Sequence, residues 1–418
     1  MKFKKNIVIV NYSYPPFDSI GSRRWAKFSK ELAKEGHKIH VIHSKNPHKN
    51  NSVWTKDTLN KNIIKYELNN CWPKFLFNPS ENLINRLASK AFLILINLFF
   101  KGIPNDEARF WKRSLQKTLF KICSEQKIDI VIASGPPFRV LLYSLMNDKF
   151  PNIQFYSDMR DEWLTGKLFN SEISISNYKN EMKNQELVIR KSDKILVTDI
   201  SNKKSIERNY KDFNDKIKVI PHTIDLDEFR TDSISSNNNT EKLKFIYGGN
   251  LPMIGKEDNF LPFLDALMEL KYNHIDLYNK TEFLFYINSQ WVINEVRKRK
   301  LTNFYFRKMV SPTEFNKIAL SKNYLLIFLP NHLKNYLITK NIDYLPLKKP
   351  IVLCSNKGLA SDFLIENEIG IHINCENNIL LQLKELLTNN KTFESKNYEK
   401  LISKYSLERV TKKLLDSD

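Results

Sequence analysis

The amino-acid sequence predicts an α/β protein built from two doubly wound, Rossmann-like domains. Apolar runs of strand length alternate with amphipathic helical stretches along nearly the whole chain. Most of these runs are continuously apolar, which is typical of strands buried on both faces of a parallel sheet. The 418 residues are enough for two domains of ordinary size. Two successive β/α series therefore indicate two parallel sheets.

The predicted strands fall into two groups. They occupy residues 6–11, 38–43, 129–134, 153–158, 194–198 and 216–220 in the first half, and 243–249, 282–288, 303–307, 324–329, 350–354 and 370–374 in the second. After the first strand, "SRRWAKFSKELAKEG" predicts a helix with Trp25, Phe28 and Leu32 on one face. Gly36 marks the end of that helix.

The domain boundary follows the segment "VIPHTIDLDEF", after which residues 230–242 form a polar linker. We expect a first domain over residues 1–221, a second over 222–393, and a C-terminal helix over 394–418 that crosses back to the first. The Asp-Leu-Asp sequence at 225–227 has the form of a metal-binding motif, but its place in the linker favours polar residues that start a helix. No metal site is predicted.

Charge and cysteine usage narrow the function classes. Lys and Arg number 66 against 46 Asp and Glu, and this net charge of +20 indicates an anionic environment: phosphorylated substrates, nucleic acid or an acidic membrane face. The sequence has no basic stripe with interleaved aromatic residues, so nucleic acid is the least favoured of these partners. The cysteines, Cys71, Cys123, Cys354 and Cys375, form no metal-binding cluster and suit a cytosolic compartment. The N-terminal apolar run is too short for a signal peptide, so we expect a cytoplasmic protein.

The apolar segment "KAFLILINLFFK", residues 90–101, leaves two interpretations open. It is shorter than the ~20 apolar residues that span a bilayer. Its length favours a buried helix. The positive charge of the chain favours a helix lying in a membrane interface, anchored by the flanking lysines with Trp72, Phe75 and Phe77 nearby. The second interpretation places the protein at the inner face of the cell membrane.

The loop "YSYPPFDSIGSRRW", residues 12–25, follows the first strand. Ligands of open parallel sheets bind beyond the carboxyl ends of the strands. Gly21 permits close approach to the backbone, and the helix that starts near Ser22 offers N–H groups to an anion. Arg23 and Arg24 would clamp that anion. The alternative is an ordinary turn with solvated arginines.

A second polar concentration, "YSDMRDEWLTG", follows the strand at 153–158. Asp158, Arg160 and Asp161 are costly to bury unless they are paired or functional. They form either an ion-paired loop or a set of groups that orients a hydroxyl-rich substrate. The loop "SGPPF" at 134–138 follows the preceding strand.

The second half contains a third candidate site. "YGGNLPMIGKEDN" follows a strand and contains Gly249, Asn250 and Lys256. Farther along, Lys340 and Asp343 lie three positions apart, on one face of a predicted helix. A lysine near a helix N-terminus opposes the helix dipole, and a bound anion would remove the conflict.

Motifs in order along nearly the whole chain resemble those of the retaining GT-B glycosyltransferases of family 4, the glycogen-synthase-like group. "DMRDEW" resembles the signature "DFRDPW" of some members, and "YPPFDSIGSRR" and "SGPPF" resemble two first-domain loops. "IPNDEARFW" resembles a "PD…W" segment, and "VIPHTIDLDEF" resembles the linker "VIPNGVDxxxF". "TKNIDYLPLKKPIVL" resembles "SKxxEYLAxGKPIL".

The resemblance implies two Rossmann-like domains facing across a cleft, with the acceptor held mainly by the first and a nucleotide-diphosphate sugar mainly by the second. Asp343 matches the carboxylate that holds the ribose hydroxyls, Lys256 the lysine that contacts the diphosphate, and Gly21 the loop that closes over phosphate and sugar. Asp158 and Asp161 fall where related enzymes place a polar residue beside the reacting sugar. We therefore assign Asp158, Asp161 and Lys256 as catalytic. The residues assigned to substrate binding are Gly21, Arg23, Arg24, Arg160, Gly249, Asn250, Lys340 and Asp343.

The resemblance further implies transfer with retention of anomeric configuration, with no metal and no cofactor. We expect a glycosyltransferase that acts on a glycan or lipid-linked acceptor in the synthesis of a bacterial surface polysaccharide such as capsule or O-antigen. Asn250 and Asn335 stand where the family often has Arg and Glu. These departures keep open a non-enzymatic GT-B membrane partner. A nucleotide-sugar epimerase is a further alternative, although no His/Glu constellation favours it.

Overall fold

The computed structural model describes residues 4–46, 52–70, 72–76, 83–100, 102–103, 106–164, 174–229, 242–251, 253–389 and 393–416. Cys71, Phe77, Lys101 and residues 230–241 of the predicted linker lie outside this set.

Seven strands form the first sheet among the described residues. They are β1 Asn6–Asn11, β2 Lys38–Ser44, β3 Ile63–Leu68, β4 Ile130–Gly135, β5 Gln154–Met159, β6 Lys194–Val197 and β7 Ile217–Val219. Their order is β3-β2-β1-β4-β5-β6-β7, and every neighbouring pair is parallel. The chain reverses its direction of winding between β1 and β4, which is where doubly wound sheets open a ligand crevice. The predicted strands are all present, and β3 was not predicted.

The helices of this part of the chain are α1 Ile20–Lys34, α2 Leu83–Phe99, α3 Lys112–Glu125, α4 Arg139–Tyr143, α5 Ile175–Lys191 and α6 Ile200–Asn209. Helix α1 begins where the Ser19 side chain accepts a hydrogen bond from the backbone N–H of Ser22. It ends before Gly36, whose φ of +91° lies in the region that favours glycine. Trp25, Phe28 and Leu32 are fully buried, as predicted.

Among the described residues, six parallel strands form the second sheet. They are β8 Leu243–Gly248, β9 Thr281–Tyr286, β10 Phe304–Arg307, β11 Tyr324–Phe328, β12 Ile351–Ser355 and β13 Gly370–Asn374, in the order β10-β9-β8-β11-β12-β13. Here the winding reverses between β8 and β11. The helices are α7 Phe260–Asn273, α8 Ile275–Asn279, α9 Gln290–Lys298, α10 Pro312–Leu320, α11 Thr339–Asp343, α12 Leu359–Glu366 and α13 Ile379–Thr388.

The chain divides into two compact units, one of Met1–Pro221 with Val410–Asp418 and the other of His222–Arg409. The single C-terminal helix predicted from residue 394 is wrong, because the segment forms two helices, α14 Ser395–Lys404 and α15 Leu407–Leu415. Between them Ser406 forms an isolated bridge with Ile224, and the N–H of Leu407 donates to the Ile224 carbonyl at 2.9 Å. These contacts take the backbone out of helical pairing at the bend.

Helix α2 contains most of the apolar segment that was predicted to lie either in the core or in a membrane interface. Only Ser89 and Ile96 of its residues are buried. The buried-helix interpretation is therefore wrong, since most of the apolar side chains of α2 face outward. None of the helices in the described part of the chain combines the length and apolar character needed to cross a membrane.

Candidate functional site

Asp158, at the carboxyl end of β5, is fully buried and accepts hydrogen bonds on both oxygens. Arg24 donates from Nη2 to Oδ1 at 2.9 Å and from Nε to Oδ2 at 3.3 Å. Trp25 Nε1 and Ser134 Oγ each donate to Oδ2 at 2.8 Å. A carboxylate in the interior needs such compensation for its lost hydration. The ion-paired alternative thus describes Asp158, with Arg24 rather than Arg160 as its partner.

Arg24 faces inward as well. Its guanidinium donates to the carbonyl oxygens of Ile220 at 2.9 Å and Pro221 at 3.1 Å, and lies 5.0 Å from the centre of the Phe28 ring. Arg23 beside it is also buried. The two arginines are therefore not solvated, so the ordinary-turn alternative is wrong, and the predicted clamp is wrong for Arg24, whose guanidinium is taken up by a buried carboxylate and two carbonyls.

Arg160 is the cation that reaches the start of α1. Its Nε donates to Ser134 Oγ at 3.1 Å, and its Nη2 donates to the carbonyl of Pro136. A Cβ atom added to Gly21 would lie 2.2 Å from Nη1 of Arg160, so only glycine allows the guanidinium to sit there. Burial lowers the pKa of Arg160. The guanidinium lies beside the positive N-terminal end of α1. Two positive groups this close together favour the binding of an anion on their solvent side.

Trp163, the last residue of the "DMRDEW" motif, fixes the loop that carries Arg160 and the exposed Asp161. The Trp163 ring stacks on Phe138 of the "SGPPF" loop, with ring centres 4.9 Å apart and planes inclined by 6°. Trp163 Nε1 donates to Glu181 Oε2 at 2.9 Å, and Arg139 pairs with Oε1 of the same carboxylate at 2.6 Å. These contacts fix the loops after β4 and β5 against each other.

In the second unit, Lys340 of α11 lies against the carboxyl end of β8. Its Nζ donates to the Tyr247 hydroxyl at 3.0 Å and lies 4.1 Å from the centre of the Tyr247 ring. Gly249, with φ of +113°, follows β8, and a Cβ added there would lie 3.0 Å from the same Nζ. Burial lowers the pKa of Lys340 to about 8, and the nearby Asp343 carboxylate opposes this shift. The site therefore holds an ammonium group at a cost that an anionic ligand would offset.

Lys256 lies in the same loop as Gly249 but has other neighbours. Its Nζ is 3.8 Å from Glu257 Oε1 and 5.9 Å from the centre of the Trp291 ring. Gly255 before it has a φ of +77°, and a Cβ there would meet Pro330 at 2.4 Å. The loop after β8 therefore packs on the loop after β11.

The two asparagines that depart from the family pattern are both exposed. The Asn250 carbonyl accepts a hydrogen bond from the Tyr247 hydroxyl at 3.2 Å. Asn335 lies in the loop after β11, and its Oδ1 would be 2.9 Å from a Cβ added to Gly358.

Two residues of these sites were not predicted from the sequence. Tyr247 precedes the glycines of "YGGN" and gives Lys340 both a hydroxyl and a ring face. Ser134 bridges Asp158 and Arg160. The position of each at the carboxyl end of a predicted strand was the available signal.

Comparison with known proteins bears on the fold. No protein-family model matches the chain, and no curated protein sequence matches it significantly. Solved structures do match over almost the whole length. A glycosyltransferase from Rickettsia africae ESF-5 matches with a TM-score of 0.62 and 17% identity, over 99% of this chain and 97% of that chain.

Two sugar-phosphate proteins are similar too. Sucrose-phosphate synthase from Thermosynechococcus elongatus matches with a TM-score of 0.67 and 10% identity, over 98% and 97% of the two chains. An E. coli trehalose-6-phosphate protein bound with UDP-2-fluoro glucose matches with a TM-score of 0.66 and 11% identity, over 98% of each chain. This chain has the GT-B fold. At these identities the likeness concerns the fold, and the fold class predicted from the sequence is confirmed.

Proposed function

We propose that this GT-B protein is a glycosyltransferase that takes its sugar from a nucleotide-diphosphate donor. The observation that carries the proposal is the position of Lys340. Its ammonium group is half-buried against Tyr247 and Gly249, beside the point where the second sheet reverses its winding. A similar fold, that of the E. coli trehalose-6-phosphate protein, has UDP-2-fluoro glucose bound.

In this proposal the second unit binds the donor. Lys340 and Lys256 face the diphosphate, because ammonium groups in a partly desolvated site bind phosphate oxygens strongly. Gly249 lets the donor approach the backbone, Asn250 lies beside it, and Asp343 accepts hydrogen bonds from the ribose hydroxyls.

The first unit contributes the acceptor side. Arg160, Gly21 and the start of α1 form a positive surface for phosphate or acceptor oxygens, and the exposed Asp161 accepts hydrogen bonds from sugar hydroxyls. Asp158 and Arg24 act on the reaction indirectly, because their buried ion pair holds α1 against the carboxyl end of β5. Arg23 is retained as a substrate-binding residue of the same loop.

The chemistry follows from charge. Negative charge builds up on the departing diphosphate in the transition state, and fixed cations aimed at it lower the barrier. We assign this role to Lys256 and Lys340, so the reaction needs no metal and no cofactor. The acceptor hydroxyl attacks the face from which the diphosphate departs, and configuration is retained.

The remaining parts of the proposal concern the pathway. The family 4 motifs and the net charge of +20 support an acceptor that is a glycan or lipid-linked glycan, handled at the cytoplasmic face of a bacterial membrane during surface polysaccharide synthesis. A second candidate is a non-enzymatic GT-B partner protein. It is favoured by Asn250 and Asn335, which stand where the family often has charged residues.

Thermal unfolding of the full chain with a panel of nucleotides and nucleotide sugars tests the proposal. A ligand at 100 times its Kd adds about 2.7 kcal/mol of stability. We expect one nucleoside-diphosphate class to raise the Tm of the wild type. The rise should be lost in Asp343→Ala and Lys340→Met and kept in the exposed controls Asp276→Ala and Lys317→Met.

The outcomes separate the candidates. A nucleotide-dependent rise that survives both site variants would contradict the assignment of the site. If no nucleotide stabilises a folded sample, the non-enzymatic partner becomes the better explanation. Where stabilisation occurs, slow release of nucleoside diphosphate from the sugar donor would show that the bound donor can react.

A further inference from the structure

Helix α2 has an apolar face that is exposed to solvent. Six of its side chains are between 61% and 78% exposed, namely Leu83, Ile84, Leu87, Ile94, Leu98 and Phe99. Leu83, Leu87, Ile94 and Leu98 share one face, because residues four and seven positions apart stack along a helix. Six large apolar side chains on one helix exceed the scattered exposure that is normal for a protein surface.

The opposite face of α2 fixes this orientation. Phe92 packs edge-on against Trp72 and Phe75, with ring centres 6.1 and 5.7 Å apart. On the same face Ser89 Oγ donates to the Phe75 carbonyl at 3.2 Å, and on the edge that carries Lys90 the Asn177 Nδ2 of α5 donates to Asn97 Oδ1 at 2.7 Å. The outward direction of the leucines is therefore specified by packing on the inner face and by a hydrogen bond at this edge.

More aromatic surface continues past the end of the helix. Phe100 is exposed and packs edge-on against Phe110 at 6.0 Å, and Phe110 also contacts Trp72 at 6.0 Å. Phe110 is itself exposed and stands two residues before Lys112. The apolar face thus ends in aromatic rings next to basic residues.

The charged side chains of α2 itself have one sign. Among the described residues from 72 to 103, the ionisable side chains are Lys74, Arg86 and Lys90, and none is acidic. Arg86 and Lys90 lie four positions apart and are exposed, so they form one edge of the apolar face. A second copy of the chain would bring these like charges together, whereas anionic headgroups neutralise them.

We infer that α2 docks this protein on an anionic phospholipid bilayer, with its axis in the plane of the membrane. At 17 residues α2 is about 25 Å long, and Arg86 and Lys90 within it oppose a spanning orientation. In the interface the leucines enter the acyl boundary while the basic edge stays among the headgroups. The inference deepens the proposed function, and it rests on that function for the lipid-linked nature of the acceptor.

Vesicle flotation of the full chain tests the docking surface. We expect the wild type to float with vesicles of equimolar phosphatidylcholine and phosphatidylglycerol, and not with phosphatidylcholine alone. Leu87→Gln/Leu98→Gln should weaken binding at least about tenfold, because two leucine side chains no longer enter the bilayer. The control Leu59→Gln/Leu381→Gln removes leucines that are 74% and 60% exposed elsewhere, and it should bind like wild type.

A second pair of variants tests the charge. Arg86→Gln/Lys90→Gln should weaken binding about tenfold at low salt, and less at high salt, since screening already removes the attraction. The matched control is Arg297→Gln/Lys298→Gln on α9, which neutralises two exposed cations of the other unit.

Three results would overturn the inference: no flotation of the wild type, equal flotation of the α2 variant and its control, or a concentration-dependent dimer that Leu87→Gln/Leu98→Gln abolishes in place of vesicle binding. Nucleotide stabilisation measured on the same proteins keeps this test apart from the proposed function. Vesicle binding through α2 without any effect of nucleotides on stability would contradict only the donor proposal. An effect of nucleotides on stability without vesicle binding would contradict only the inference that α2 docks on a membrane.

Discussion

Removal of one charge from the Asp158–Arg24 pair should weaken the first unit more than any exposed substitution. The Asp158→Asn variant keeps the shape of the side chain and can still accept hydrogen bonds from Trp25 and Ser134. It leaves the Arg24 guanidinium, whose side chain is 1% exposed, without its counter-charge. Breaking a buried ion pair from one side costs about 3–5 kcal/mol.

The double variant gives the pair energy separately. Arg24→Met removes the cation and leaves the Asp158 carboxylate buried without its main partner. In Arg24→Met/Asp158→Asn neither charge is stranded, so the combined loss should fall short of the sum of the single losses by roughly 1–3 kcal/mol. An additive result would mean that the two side chains do not depend on each other.

Urea unfolding followed by tryptophan fluorescence is the assay. Five of the six tryptophans lie in the first unit, and Trp25 donates to Asp158 itself, so the signal reports this unit. With a urea m value of about 3 kcal/mol/M, the midpoint of Asp158→Asn should fall by roughly 1–1.7 M. Asp148→Asn, which breaks the exposed pair with Lys191, is the control and should not shift it measurably. If Asp158→Asn behaves like this control, the buried pair does not hold the first unit together.

Two further predictions follow from the close contacts of the site. Gly21→Ala should destabilise the protein by about 1–3 kcal/mol, because the new methyl group displaces the Arg160 guanidinium; urea unfolding measures the loss, and Gly21→Ala/Arg160→Ala should recover part of it. The affinity for the nucleotide donor should be constant below pH 7 and fall above about pH 8, where the free protein loses the Lys340 proton. Over the same range the free protein should become more stable up to about pH 10, since the unfolded chain keeps this proton longer. Titration calorimetry should show no such fall in donor affinity for Lys340→Arg. If the affinity of Lys340→Arg falls above pH 8 as that of the wild type does, the role assigned to Lys340 is wrong.

The strand pattern was readable because parallel strands buried on both faces are continuously apolar. This pattern is clearest in β11 and β12, whose residues are all buried, and the shorter edge strands β10 and β13 were recognised from their own apolar residues. The strand β3 was missed because it is an edge strand, in which only alternate side chains are well covered, and its "IIKYEL" places Lys65 and Glu67 among the apolar residues. The break between α14 and α15 was missed because its cause, the backbone of Ile224, is far away along the chain.

The candidate sites were predictable as places and less so as contacts. Loops at the carboxyl ends of strands could be chosen from the sequence alone. The partner of Asp158 lies 134 residues away, and the hydroxyl that accepts the hydrogen bond of Lys340 lies 93 residues away. Such pairings depend on which strands become neighbours, and spacing along the sequence carries no record of that. The sequence therefore offered an anion clamp or solvated arginines for Arg23 and Arg24, and neither interpretation included the buried pair of Arg24 with Asp158.

The order of the chain also decides when each unit can finish folding. His222–Arg409 is one continuous stretch, whereas the first unit needs Val410–Asp418 in addition to Met1–Pro221. Val410, Thr411 and Leu414 in that last stretch are fully buried. During synthesis the second unit can assemble as soon as its own stretch has left the ribosome. The first unit begins earlier and is finished later, so its open core must be protected from aggregation while the whole of the second unit is being made.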